Sequence, residues 1–164
     1  MRRLKKLIKF FGTIFYIGYF PFFPGTFASI ISLIFGVLFF QIFGFVSFIL
    51  FTTILFLGGW WCCEKIITSH NNKDPSEIVI DELVGQWISL IPIFYYLDYQ
   101  KITFSSLPYL ELIFAFIIFR LFVIVKIGPI LWADNLKSGL GVMLDDFLAG
   151  CVTFSIITFY FIII

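Results

Sequence analysis

Charged residues are scarce in this sequence, and one long stretch has none. Asp, Glu, Lys and Arg make up 13% of the 164 residues, and none occurs between Phe10 and Cys63. A membrane helix needs about 20 apolar residues, so this stretch is too long for one crossing and fits about two. With 61% hydrophobic residues and a mean hydropathy of +1.07, the composition excludes an ordinary water-soluble domain.

Cysteine and basic residues are also few over most of the chain. Cys62, Cys63 and Cys151 do not have the spacing of metal ligands, which argues against a zinc site or a disulfide framework. Five of the eleven basic residues lie within residues 2–9, which leaves six basic residues against ten acidic ones in the remainder. The chain therefore lacks a basic face for nucleic acid, and we expect no nucleic-acid partner.

The basic N-terminus predicts how the chain is oriented. Residues 2–9 precede an apolar run, but no small-residue cleavage motif follows, so we interpret the segment as retained. The positive-inside rule places it in the cytoplasm, where it would also bind anionic lipid headgroups. We expect a multi-pass membrane protein with its basic N-terminus on the cytoplasmic side.

Hydrophobic stretches separated by proline, glycine and charge predict an all-α fold. We expect one transmembrane domain over residues 1–164, built as a polytopic bundle of about four to five hydrophobic helices. The predicted elements are a short interfacial or re-entrant segment at 7–20, a hairpin of 26–40 and 44–61, and helices at 83–97, 107–125 and 142–164. The long polar segment 64–82 would then lie on the same side as residues 21–25.

Carboxylates are concentrated in two adjacent pairs near predicted helix starts. Asp81 and Glu82 form one pair, Asp145 and Asp146 form the other, and Asp74 lies on the polar segment. Either pair alone could serve as a helix cap, but capping does not explain both. Acidic side chains within or beside membrane-spanning segments usually indicate a functional site. A ligand set made only of oxygen is what Mg²⁺ prefers, so we expect these five carboxylates to bind Mg²⁺.

Two basic residues and one turn are candidates for binding phosphate. Arg120 and Lys126 would converge if their helix broke before Gly128, although both could instead extend to lipid headgroups. Gly25 and Thr26 follow Pro24 at a predicted helix start, with Ser29 one turn further. Free N–H groups and hydroxyls there suit an anion, although taken by itself the motif is better explained by an ordinary helix start.

Four motifs follow one another along the chain. They are Pro24-Gly25-Thr26 within residues 18–29, Asp81-Glu82 within residues 74–87, Phe119-Arg120 within residues 119–129, and Asp145-Asp146 within residues 139–150. Together they span most of the chain, and the second is the most specific. In this order they resemble the motifs of the phosphatidylglycerophosphatase A family of bacterial membrane lipid phosphatases.

The resemblance implies Mg²⁺-dependent hydrolysis of the terminal phosphomonoester of phosphatidylglycerophosphate, giving phosphatidylglycerol and inorganic phosphate in phospholipid biosynthesis. It also implies a multi-pass protein of the bacterial cytoplasmic (inner) membrane, with the active site on the cytoplasmic side. The two carboxylate pairs would then be catalytic and, with Asp74, would hold the metal and activate water, while Arg120 and Lys126 would neutralise the phosphate. The sequence does not decide which carboxylate is a ligand and which a base. Nor does it fix the oligomeric state.

The third motif departs from the family pattern. The family usually has an acid where this chain has Val123, and a proline directly after the lysine where it has Ile127. This leaves a weakened or inactive relative with a structural role as one alternative. A cation- or proton-conducting protein is another, and it predicts acids at mid-membrane depth. A phosphatase instead predicts acids at the interface, near Trp60, Trp61 and Trp87.

Overall fold

The regular structure of the chain is helical throughout the described residues, as the predicted all-α class requires. The computed structural model describes residues 2–70, 77–101 and 107–163. Its elements there are α1 (Arg2–Gly12), a 3₁₀ helix (Ile17–Tyr19), α2 (Pro24–His70), α3 (Ile80–Tyr99), α4 (Tyr109–Val125), α5 (Pro129–Asp134) and α6 (Gly139–Ile163). Of these, α2 and α6 are long enough and apolar enough to cross a membrane.

Helix α2 doubles back at Gly44, so the predicted hairpin is present. Gly44 has φ 79° and ψ 176°, a conformation that glycine adopts without steric cost. The rings of Phe39 and Phe51 stack with centroids 4.9 Å apart, whereas twelve residues of straight helix would separate them by about 18 Å. Residues 24–43 and 45–70 are therefore two arms, and the second continues beyond the predicted end at Trp61.

Helices α2, α3 and α6 all begin at one end of the bundle, where α4 ends. Arg120 in the last turns of α4 donates to Ser29 near the start of α2, and the N–H of Gly139 donates to Glu64 Oε2 at 2.8 Å. We call this end the polar end. At the opposite end, Tyr96 of α3 stacks on Phe161 of α6.

Two helices begin earlier than the sequence indicated. Helix α3 starts at Ile80 and continues through Pro92 to Tyr99, and α6 starts at Gly139 rather than at residue 142. Asp145 and Asp146 consequently lie in the second turn of α6, beyond the reach of a helix cap. The capping alternative is therefore wrong for this pair.

Trp87 lies in the core of the bundle. Its ring stacks on Phe48 of the second arm at 4.7 Å, and its Nε1–H donates to the carbonyl of Ser32 at 2.8 Å. Trp87 is 3% exposed, whereas Trp60 and Trp61 are 40% and 50% exposed. The prediction that Trp87 marks the membrane interface is wrong, because its indole N–H is satisfied inside the protein.

The N-terminal segment folds against the residues that lead into α3. The N–H of Val79 donates to the carbonyl of Gly12 at 3.1 Å, and Lys9 pairs with Glu77 at 3.4 Å. Ile8 is buried in the core. This packing fixes the start of α3, and with it the first pair of carboxylates.

Candidate active site

A polar cavity of about 460 Å³ opens at the polar end of the bundle. It lies between the start of α2, the first turn of α3, the end of α4, the segment that follows α5 and the second turn of α6. Among the described residues, the charged side chains that line it are Asp81, Glu82, Arg120, Lys126, Asp134, Lys137, Asp145 and Asp146. In a chain with 13% charged residues, this concentration of charge identifies the site.

The first pair of carboxylates occupies the first turn of α3. Asp81 Oδ1 accepts a hydrogen bond from the backbone N–H of Glu82 at 3.0 Å. The N-terminal turn carries free N–H groups and the positive end of the helix dipole, so acids are stabilised there. Gly25 makes room for this turn, because a Cβ on Gly25 would overlap Glu82 Oε1.

The second pair reaches the cavity because α3 and α6 approach each other closely. A Cβ on Gly150 would lie 2.5 Å from the carbonyl oxygen of Gly85, and a Cβ on Gly85 would lie 2.5 Å from that of Asp146. Small residues allow such backbone contact between helices. As a result, one ligand oxygen each from Asp81, Glu82 and Asp146 lies within 4.8 Å of the other two.

Two carboxylate oxygens of the second pair are buried and accept no hydrogen bond from the described residues. They are Asp145 Oδ1 and Asp146 Oδ2, on side chains that are almost fully buried. A buried anionic oxygen without a partner is costly, and several carboxylates this close repel one another. The all-oxygen donor set and the unpartnered oxygens fit a hard divalent cation.

Arg120 links α4 to the starts of α2 and α3. Its Nη1 lies 3.6 Å from Glu82 Oε1 and donates to Ser29 Oγ at 3.3 Å, while Nη2 donates to Thr26 Oγ1 at 3.2 Å. Ser29 Oγ also donates to the carbonyl of Gly25 at 2.9 Å. Arg120 and Thr26 line the cavity, whereas Ser29 is buried behind them and holds the guanidinium in place.

Lys126 reaches the same cavity because α4 ends directly before it, as the predicted convergence requires. The residue has φ 46°, which turns the chain out of the helix. Its Nζ donates to Asp145 Oδ2 at 2.9 Å and to Asp134 Oδ1. Burial by itself lowers the pKa of Lys126, but the hydrogen bonds and charges of both aspartates outweigh it and raise the pKa above the usual value for lysine.

Most of the predicted site residues meet in this cavity, with two exceptions. Asp74 lies outside the described residues, and Ser29 does not line the cavity wall. Sequence reasoning missed Asp134 and Lys137, which lie on the segment between α4 and α6. The signal that could have found Asp134 is its position eight residues after Lys126, at the end of a short helix that begins with proline.

Val123 also lines the cavity, where the family pattern has an acid. Asp134 brings a carboxylate to Lys126 from α5, so the lysine is paired without an acid at position 123. With Val123 at this position, the described residues that line the cavity include five acidic side chains and three basic ones.

Comparison with known proteins covers nearly the whole chain. The family model described as phosphatidylglycerophosphatase A matches residues 10–161. A Bacteroides thetaiotaomicron protein provisionally named as a phosphatidylinositol-3-phosphatase is 35% identical over 162 residues, which covers 96% of this chain and 95% of that protein. No solved structure matches the chain.

Two further relatives carry the name phosphatidylglycerophosphatase A. The one from Haemophilus influenzae is 36% identical over 128 residues, covering 77% of this chain and 72% of its own length. The one from Escherichia coli is 30% identical over 146 residues, covering 87% and 76%. The match includes all the described residues that line the polar cavity. The chain therefore belongs to the phosphatidylglycerophosphatase A family.

Proposed function

We propose that this chain hydrolyses the terminal phosphomonoester of phosphatidylglycerophosphate, producing phosphatidylglycerol and inorganic phosphate. The main observation behind the proposal is that one cavity is lined by three clustered carboxylates and two cationic side chains, namely Asp81, Glu82, Asp146, Arg120 and Lys126. A phosphomonoester dianion needs cations around it, and its hydrolysis needs a positioned water and a proton acceptor. The cavity offers groups for each of these tasks.

Asp81, Glu82 and Asp146 would hold a Mg²⁺ ion. When bound, Mg²⁺ supplies Lewis-acid stabilisation of the phosphoryl oxygens and lowers the pKa of water. Asp74 belongs to the predicted ligand set as well, and its contribution stays a prediction. The unpartnered Oδ2 of Asp146 supports the presence of a cation at this position.

The remaining residues would bind the phosphate and orient the water. Arg120 presents its guanidinium to the cavity and donates hydrogen bonds to the hydroxyls of Thr26 and Ser29, and Lys126 presents a second positive charge. Asp145 Oδ2 accepts from Lys126, so Oδ1 is available to accept a proton from the attacking water. The water oxygen bonds to phosphorus as the bond between phosphorus and the glycerol oxygen breaks, and the leaving oxygen takes up the proton that Asp145 received. Gly25 and Thr26 would add first-turn N–H groups to the phosphate site.

We propose further that the arms of α2 and helices α3, α4 and α6 each cross the membrane, with the polar end on the cytoplasmic side. Exposed Trp60, Trp61 and Trp132 lie toward the polar end, and exposed Tyr99 and Tyr109 lie at the opposite end. Aromatic residues are enriched at both membrane interfaces, which supports this placement. The basic α1 at the polar end supports the cytoplasmic side.

The depth of the acids favours the phosphatase over a cation or proton pathway. Asp81 lies in the first turn of α3, and Asp145 and Asp146 lie in the second turn of α6. A Cβ on Gly59 would contact both Ile80 and Met143, which puts these turns level with Trp60. A conducting pathway would need charges in the middle of the bundle, where Trp87 and Phe48 pack instead.

A second candidate substrate is phosphatidylinositol 3-phosphate. The observation that favours it is the extent of the match to the Bacteroides relative, which covers 95% of that protein. Both lipids carry an anionic phosphomonoester on a glycerophospholipid, so the cluster of carboxylates and cations suits either. The two differ only in the group that bears the phosphate.

The test is phosphate release from each lipid by the purified chain in detergent, with Mg²⁺ and with EDTA. We expect Mg²⁺-dependent release from phosphatidylglycerophosphate and loss of about hundredfold or more in Asp81→Asn and Asp146→Asn. The matched control is Asp98→Asn, because Asp98 is exposed at the opposite end of α3. Phosphate release that persists in EDTA would contradict the proposed dependence on Mg²⁺. Release from the inositol lipid alone would contradict phosphatidylglycerophosphate as the substrate.

A further inference from the structure

A second concave surface, which the proposed chemistry does not use, runs between the two arms of α2. It has a volume of about 410 Å³, and the described residues that line it are all aliphatic or aromatic. Ile31, Phe35, Leu38 and Ile42 form one wall at the spacing of successive helical turns, and Phe51 and Leu55 of the second arm face them. We call this surface the apolar groove.

The apolar groove and the polar cavity share the first turn of α3. Ile80 and Leu83 line the groove, whereas Asp81 and Glu82, which lie between them in sequence, line the cavity. Residues three apart share a helix face, and the two between them point elsewhere. A molecule at the near end of the groove therefore lies one helix turn from the carboxylates.

The groove has the length of a lipid tail. From Ile31 to Ile42 the first arm rises about 16 Å, about half of the ~30 Å hydrocarbon core of a bilayer. It runs from Phe10 and Phe11 at the polar end toward Phe43 beside the Gly44 turn. Leu38 and Phe35 are 44% and 56% exposed, so the groove is open along its side.

We infer that the apolar groove binds one acyl chain of the phospholipid substrate while the phosphate occupies the polar cavity. This inference rests on the proposed function, which makes the substrate a lipid with its phosphate at the carboxylates. A tail lying in the groove would hold the headgroup at the first turn of α3. The groove would then select chain-bearing lipids over water-soluble phosphomonoesters, with each buried methylene adding to binding.

The experiment fills the groove and compares substrates with and without chains. Leu38→Trp places a bulky ring in the groove, and Leu57→Trp places the same ring on an exposed position of the same hairpin outside the groove. We expect Leu38→Trp to lower kcat/KM for dioleoyl phosphatidylglycerophosphate by about tenfold. Its activity on the deacylated, water-soluble analogue should stay within about twofold of that of Leu57→Trp.

Native mass spectrometry of the same variants provides a readout that is independent of turnover. With dioleoyl phosphatidylglycerophosphate present, the wild type and Leu57→Trp should each retain one lipid more than Leu38→Trp. A wild type that retains this lipid but releases no phosphate would overturn the proposed activity and leave the groove as a lipid site.

Three outcomes would contradict the inference that the apolar groove binds an acyl chain of the substrate. Leu38→Trp could retain as much lipid as Leu57→Trp, which would mean that no chain occupies the groove. Leu38→Trp could lose the bound lipid yet hydrolyse the long-chain substrate at the rate of Leu57→Trp. The groove would then bind a membrane lipid that is not the substrate. The variant could lose activity equally on both substrates, which would mean that the tryptophan ring distorts α3 and does not act by displacing an acyl chain.

Discussion

Lys126, which follows the last residue of α4, donates a hydrogen bond to Asp145 of α6 at 2.9 Å. The same ammonium group pairs with Asp134, so it joins three segments of the chain at the cavity. This position gives Lys126 two tasks: to neutralise a bound phosphate and to hold Asp145. Its removal should therefore damage catalysis more than folding.

We expect Lys126→Met to lower kcat/KM for phosphatidylglycerophosphate by about hundredfold, because one preorganised positive charge is lost from the cavity. The control is Lys65→Met, since Lys65 is exposed on α2 and does not line the cavity. Phosphate release at saturating Mg²⁺ measures both variants. A Lys126→Met variant as active as the control would contradict a role for this lysine in binding the phosphate.

Gly25→Ala tests the close approach between α2 and Glu82. The added methyl group would overlap Glu82 Oε1, so this flexible side chain must move away from Arg120. We expect activity to fall at least about tenfold while stability changes by less than about 1 kcal/mol, since alanine suits a helix better than glycine. Phosphate release and thermal unfolding in detergent measure the two effects.

Gly58→Ala is the matched control for Gly25→Ala, because a Cβ at Gly58 meets nothing within 4 Å. It should keep both activity and stability. If Gly25→Ala behaves in the same way, Glu82 has no fixed role at this position. If Gly25→Ala unfolds the protein, the contact is structural instead.

Gly150→Ala should separate α3 from α6. The new methyl group would lie 2.5 Å from the backbone carbonyl of Gly85, which cannot rotate away as a side chain can. Overpacking of this kind costs about 1–3 kcal/mol, and we expect a lower thermal midpoint together with weaker Mg²⁺ activation. Unchanged unfolding relative to Gly58→Ala would show that the two helices have room to shift.

Val123→Asp addresses the departure from the family pattern. Because Asp134 already pairs with Lys126, we expect the wild type to be active and the substitution to change kcat/KM by no more than about threefold. Val123→Asn is the uncharged control of similar size. An inactive wild type that Val123→Asp restores would contradict this expectation and show that the chain is a weakened relative.

The fold class and most of the helices follow from local properties of the sequence. A span needs a run of apolar residues, and Gly44 and Pro24 mark a turn and a helix start by their own backbone preferences. The carboxylate pairs were also predictable, because charges are so rare in this chain that those beside apolar runs stand out.

The composition of the site could be predicted only in part. Asp134 was missed because it lies on a six-residue helix whose position depends on the turn at Lys126. Ser29 was predicted to bind phosphate, but it supports Arg120 from behind. Both assignments depend on which side chains of separate helices face each other. The spacing of residues along the sequence does not give the distance between side chains on different helices.

The sequence by itself determined that this is an apolar helical protein with two acid pairs and a few basic residues near its helix ends, since composition and order along the chain suffice for that. Only the tertiary structure decided that Asp81, Glu82 and Asp146 share one cluster while Asp145 turns to Lys126. The reason is the contact of Gly85 with Gly150, which brings α3 and α6 together. Close packing between distant segments sets these distances, and no local pattern specifies them.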